Sequence, residues 1–196
     1  VYEVPSMSLT MTGAPALEPV SLAEAKAHLR VDATTEDTFI ASLITTSRLQ
    51  IEAILGLALI QQSWTWRFDA WPRHAVELPM RPLIAVASVR VQNSDLSFTT
   101  VTAANYILDP QGPPPRLVPV NTGLPKPGVA ALGIEIQFSA GFGAAATDVP
   151  ASLRQAILLL AAHWYENREP VIAGATAATF PNAVIGLIEP YRMRRL

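Results

Sequence analysis

The chain has no cysteine among its 196 residues, which excludes disulfides, thiolate nucleophiles and thiolate metal sites together and fits an intracellular setting. Charge is scarce as well, at 15% of residues against a usual ~25%. A soluble chain this poor in charge is expected to have much of its surface covered, most simply by copies of itself or by partners. Long apolar runs are also lacking. The longest candidate, 156–162, lies between Arg154 and His163 and falls well short of the ~18 residues of a membrane helix, so a soluble protein with no membrane partner is expected. There is no basic excess, the formal net charge being -2, which argues against a general phosphate-gripping surface. The first residues, VYEVPSMSLTMTG, carry no basic stretch followed by a long apolar core. They therefore read as a loose arm over 1–16 rather than a secretory signal.

Catalytic motifs are missing too. No G-x-S-x-G elbow, no G-x-x-x-x-G-K and no aspartate cluster suited to two-metal chemistry is present, so no enzyme and no cofactor is expected. Isolated carboxylates such as Asp69, Glu77, Asp109 and Glu135 alternate with apolar residues or sit in turns, which predicts solvent-facing positions.

What is present suggests one core with arms. Ser21 and Glu24 form a capping box, with Leu22, Ala25 and Leu29 at helical spacing, and a second box of Thr34 with Asp37 opens a longer helix. In that helix Ile40, Leu43, Ile44, Ser47, Ile51, Ile54 and Leu55 form one stripe, and Gly56 is its stop. The period then changes to two. Trp64, Trp66 and Phe68 alternate with Thr65, Arg67 and Asp69. LIAVASVRV, SFTTV, YILD, RLVPV and IEIQFSA are further short strands separated by Pro, Gly, Asn or Asp, a pattern of antiparallel meander or sandwich. Pro150 opens the last long helix, and Pro170 ends it. The expected fold class is α+β, with helices over 21–31, 35–56 and 150–168 and a β region over 63–140. These make a body of 17–170 between an N-terminal arm, 1–16, and a C-terminal arm, 171–196.

Three features invite a chemical reading. His163 and Glu166 lie three apart on one helical face, a spacing used by metal sites, but a catalytic zinc needs about three protein ligands. His28 and His74 lie in no ligand motif, so the pair is read as the polar end of a helix packed on two sides and no metal is expected. GFGAAA satisfies a dinucleotide fingerprint formally, yet Thr147, Asp148 and Val149 intervene before the helix, and a tight turn explains the glycines better. Trp64, Trp66 and Phe68 have the chemistry to stack bases, though strict alternation suits a core face better.

The tail after Pro170 ends in a short helix capped at Asn182 with apolar Val184, Leu187 and Ile188, then Tyr191, Arg192, Arg194 and Arg195. A helix this short is unstable alone, so it must dock.

EPVSLAEAKAHLRVD, EDTFIASLITTSRLQIEAILGLALIQQSW, LPMRPLIAVASV, YILD, FSAGFGAAATDVPASLRQAILLLAAHWYENRE and PYRMRR together resemble the head-tail connector, or adaptor, proteins of long-tailed bacteriophages and of phage-like gene transfer agents. The resemblance runs from about Leu17 to Arg195. It implies a structural role in the neck of a virion or phage-like particle assembled in the bacterial cytoplasm. The implied form is a ring, typically of twelve copies, beneath the portal protein, with a stopper or other tail-side connector protein on its far side and DNA passing through without specific binding. On this reading Leu158, Ala162, Tyr165 and Arg168 of the last long helix are subunit-interface candidates. Val184, Leu187, Ile188, Tyr191, Arg192, Arg194 and Arg195 then form an arm that binds the portal or a neighbour. The other classes are a nucleic-acid-binding module using the aromatic strand and terminal arginines, and a metal-dependent hydrolase around His163 and Glu166.

Overall fold

The computed structural model describes residues 6–72, 74–120, 124–168 and 180–193. The chain divides into two compact units, Val1–Pro15 with Gln61–Phe142 and Ala16–Ile60 with Gly143–Leu196. The first is built of strands and the second of helices, so the α+β class holds.

The strand unit contains β1 (Met7–Gly13), β2 (Gln62–Phe68), β3 (Val76–Glu77), β4 (Leu83–Gln92), β5 (Phe98–Thr100), β6 (Tyr106–Asp109), β7 (Arg116–Pro119) and β8 (Ile134–Ala140). They form a five-stranded sheet in the order β1-β2-β8-β4-β5 and a three-stranded sheet in the order β3-β7-β6. All pairings are antiparallel. Register aligns the apolar positions: Trp66 faces Ile136, Phe68 faces Ile134, and both isoleucines meet Val89 and Val91 of β4. These side chains, with Phe138, are buried, and so are Val76, Leu78 and Leu117 around the smaller sheet. Each large apolar side chain removed from water contributes roughly 1.5–3 kcal/mol.

The other face of the larger sheet is polar and holds a correction. Glu135, expected to face solvent, is 1% exposed. Register sets it opposite Arg67 on one side and Arg90 on the other, and both guanidiniums donate to its carboxylate. Phe98 stacks beneath Arg90, whose guanidinium carbon lies 4.8 Å from the ring centre. Burial works to raise the Glu135 pKa, but the hydrogen bonds from Arg90 and Arg67 outweigh it and hold the carboxyl below its ordinary range. Two of the other carboxylates read as isolated also have partners: Asp69 accepts from the Leu132 N–H at 2.7 Å, and Asp109 from the Gly112 N–H at 3.1 Å.

Met7–Gly13 departs from the expected arm, because it is β1, paired along its length with β2.

The helical unit contains α1 (Leu22–Leu29), α2 (Asp37–Leu55), α3 (Ala151–Glu166) and α4 (Asn182–Ile188). The Ser21 capping box forms as expected, with the Ser21 hydroxyl accepting from the Glu24 N–H at 3.2 Å and Glu24 from the Ser21 N–H at 2.8 Å. The Thr34/Asp37 box does not form. Glu36 occupies the N-cap position without a side-chain bond, and the Asp37 carboxylate instead pairs with Lys26 of α1 at 2.6 Å. α2 buries Ile40, Leu43, Ile44, Ser47, Ile51 and Leu55, and stops at Gly56 in the left-handed conformation, φ 61. α3 buries Leu153, Ala156, Ile157, Leu160 and Ala161 and packs against α2 and α4.

An ion network sits inside this unit. Arg48 of α2, itself buried, donates from Nε to Glu18 at 2.7 Å and from Nη1 to Glu52 at 2.7 Å. Glu52 also accepts from the Leu59 N–H at 2.8 Å, which fixes the turn after α2 where Leu57, Ala58, Leu59 and Ile60 are buried.

Two expectations follow. Arg48→Ala leaves two carboxylates without their cation, one of them buried, and is expected to cost about 3 kcal/mol, read as a lower midpoint in urea unfolding; a loss under about 1 kcal/mol would contradict the network. Glu135→Gln is expected to cost about 1–2 kcal/mol near neutral pH, since solvent screens its half-exposed arginine partners. Because the folded Glu135 pKa is lowered, its stabilisation is complete above the unfolded value and is lost as pH falls through the folded value. The variant should therefore show a shallower acid-side fall in stability than the parent in pH-dependent urea titrations.

Candidate functional site

Among the described residues no group of three His, Cys, Asp or Glu side chains is placed to hold a metal ion, and no helix is long and apolar enough to cross a membrane. His163 and Glu166 end α3, where the capping is done by Asn167, whose side-chain amide donates to the His163 carbonyl at 2.8 Å. The glycine turn is explained by sterics. Gly141 takes φ 137, open to glycine, and its N–H donates to the Pro82 carbonyl at 2.9 Å. A Cβ on Gly143 would lie 2.2 Å from the Asp148 carboxylate, which accepts from the Ala145 N–H at 2.8 Å. The Gly141 and Ala145 N–H groups of this turn are thus already used within the chain. Trp66 and Phe68 are largely buried, with ring centres 4.5 Å apart, as a core face requires, and Trp64 is half-buried.

The helical unit carries a cluster of side chains near its surface. At the end of α3, Tyr165 and Arg168 meet Glu36 and Phe39 from the start of α2. The Tyr165 hydroxyl donates to one Glu36 carboxylate oxygen and Arg168 to the other at 2.5 Å, while the Arg168 guanidinium lies 4.8 Å from the Phe39 ring centre and 4.9 Å from that of Tyr165. The bond from Tyr165, then that from Arg168, holds the Glu36 carboxyl below its ordinary range, and the same contact pushes the Tyr165 phenol up. Of the interface candidates, Leu158, Ala162 and Tyr165 are half-buried and Arg168 is exposed. Glu36 and Phe39 complete this cluster and are not legible in sequence, since they lie over a hundred residues away.

The tail residues separate into two sets. α4 docks, as a seven-residue helix must, but on α3 of its own chain: Val184 and Ile188 are fully buried there, and the Tyr191 hydroxyl lies 3.0 Å from that of Ser152. These apolar anchors are spent inside the subunit rather than free for a partner. Leu187 is half-buried, Arg192 is exposed, and Ile185 and Met193 add apolar surface beside them. Arg194, Arg195 and residues 169–179 lie outside the described residues.

The head completion protein family model matches residues 18–194. Among solved structures the chain is similar to one from the neck of an empty gene transfer agent particle computed with C6 symmetry, at 31% identity and a TM-score of 0.83, covering 96% of this chain and 97% of that one. A chain from the virion of a native gene transfer agent particle is 31% identical with a TM-score of 0.81, at 96% coverage of both. A third, from the neck of a native gene transfer agent particle computed with C12 symmetry, is 30% identical with a TM-score of 0.74, covering 95% of this chain and 97% of that one. No curated protein matches the chain in sequence.

The Glu36 cluster can be checked in isolation. Tyr165→Phe removes the largest contribution that lowers the Glu36 pKa, so carboxyl-detected NMR titration should find it raised toward its ordinary value while the fold is unchanged. An unaltered Glu36 titration would show that the hydroxyl does not hold it.

Proposed function

The chain belongs to the head completion protein family, and from that premise we propose that it is a structural head-tail connector in the neck of a phage-like particle. The observation that carries the reading is near-complete coverage, at 31% identity, of a chain from a gene transfer agent neck. Similarity of this extent includes the packing of both units, not one motif.

In this reading the chain forms a ring of twelve copies around a passage for DNA, with the portal protein on one side and a stopper or tail-side connector on the other. Cyclic symmetry among the similar neck structures supports the ring. The scarcity of charge supports extensive contact surfaces. Electrostatics support a passage that does not grip. Arg48, Arg67, Arg90, Arg116, Arg154, Arg168 and Arg192 are all engaged by carboxylates of the same chain, so they offer little to phosphate. Leu158, Ala162, Tyr165 and Arg168 meet a neighbouring subunit. Leu187, Tyr191 and Arg192, with Arg194 and Arg195, present the arm to the portal, while Val184 and Ile188 anchor the arm's helix to α3. The ring is assembled in the bacterial cytoplasm, and its work is positional and needs no cofactor.

The test is particle assembly with and without the chain. Particles made with it should show a twelve-fold ring of this chain in the neck by cryo-electron microscopy, and those made without it should be heads lacking tails. Leu187→Asp combined with Arg192→Glu should leave a folded subunit that joins the particle about tenfold less well. Normal tailed particles formed in the absence of the chain would overturn the proposal.

A further inference from the structure

β1 is an outer strand of the five-stranded sheet, so among the described residues one row of its backbone N–H and C=O groups faces no neighbouring strand. Such edges are ordinarily blunted by lysine, proline or a bulge that twists them away. The β1 sequence, MSLTMTG, has no charge and no proline, and its single register irregularity lies at its end, between Met11 and Gly13. The side chains add a second feature. Met7, Leu9 and Met11 stand on the face of Phe68, Trp66 and Trp64, their partners in register, yet they are 61%, 39% and 38% exposed. Next to them opens a cleft of about 620 Å³ lined by Met7, Trp66, Phe68, Trp71 and Pro72. A bare backbone edge and an apolar strip on one strand together make a template for strand addition, with hydrogen bonds to bind and alternate side chains to select.

We infer that the β1 edge is a subunit contact of the ring, covered by a second copy of this chain. The inference rests on the ring reading above. Whatever covers this edge must be supplied once for every subunit, and in a closed ring the next copy meets that condition at each position. A ring of more than two copies needs a heterologous contact, so β1 meets a different surface of the neighbour and not the neighbour's β1. The strip carries no charge, which fits an apolar protein surface and offers nothing to DNA.

The cysteine-free sequence allows a direct test, because Leu9→Cys introduces the chain's only thiol. A short photo-crosslinker on that thiol, in particles assembled with the variant, should give a product that joins two copies of this chain, Leu9 of one to a peptide other than β1 of the next. The double variant Leu9→Glu, Met11→Glu should still unfold cooperatively, with a somewhat lower midpoint because both side chains stand against Trp66 and Trp64, and enter the ring about tenfold less efficiently at a temperature where it is fully folded. A product linked to another particle protein, a β1-to-β1 product, or undiminished ring entry of the double variant would overturn the inference and leave the neck reading standing. Absence of the parent chain from the neck would overturn both.

Discussion

The helical unit depends on where Arg48 puts its guanidinium. An apolar stripe holds α2 against its neighbours but tolerates small rotations and slides of the helix, because dispersion and burial are not directional. A buried guanidinium that must satisfy Glu18 ahead of α1 and Glu52 one turn further along α2 tolerates neither. Through the Leu59 N–H the same carboxylate sets the chain's exit after α2. The strand unit uses the converse arrangement, a buried carboxylate between two arginines: Glu135 joins β2, β8 and β4 across the polar face, where a one-residue slip of register would carry the partners to the opposite side. In both cases the ion pairs select one alignment of elements that apolar burial has already brought together.

Charge is scarce in the chain as a whole, at 15% of its residues. Much of what remains outside is apolar or already paired: Met7, Leu9 and Met11 on β1, Phe39 beside Arg168 and Tyr165, and Ile185 and Met193 near the tail. A protein that worked alone would gain nothing from such patches. A neck component gains contact area from each of them.

Much of the strand placement along the chain was legible because period two survives in short segments: Trp64, Trp66 and Phe68 announced a strand, whose Trp66 and Phe68 are buried, and the β4 to β8 strings lie where they were read. β1 carries the same alternation in MSLTMTG, yet its apolar residues remain exposed and its neighbours are arm-like, so nothing local distinguished a strand from an extended arm. The Thr34/Asp37 pair had the spacing of a capping box, but Lys26, brought close by the α1–α2 turn, outcompeted the backbone for the Asp37 carboxylate. Glu135 was misplaced for a related reason. Alternation assigns a residue to a face, and it says nothing of what else occupies that face.

The sequence by itself determined the class of fold, the helix starts at Ser21 and Pro150, the stop at Gly56, the lack of metal-ligand and nucleophile motifs, and the family. These follow from local periodicity, backbone sterics and the identity of residues in order, which are properties of neighbouring positions. Only the tertiary structure decided that Val184 and Ile188 anchor the tail helix on α3 of their own chain, that Glu36 completes the cluster with Tyr165 and Arg168, and that Met7–Gly13 forms the edge of a sheet. Each of those depends on partners tens to more than a hundred residues distant, and burial and pairing at such separations are set by packing rather than by any local pattern.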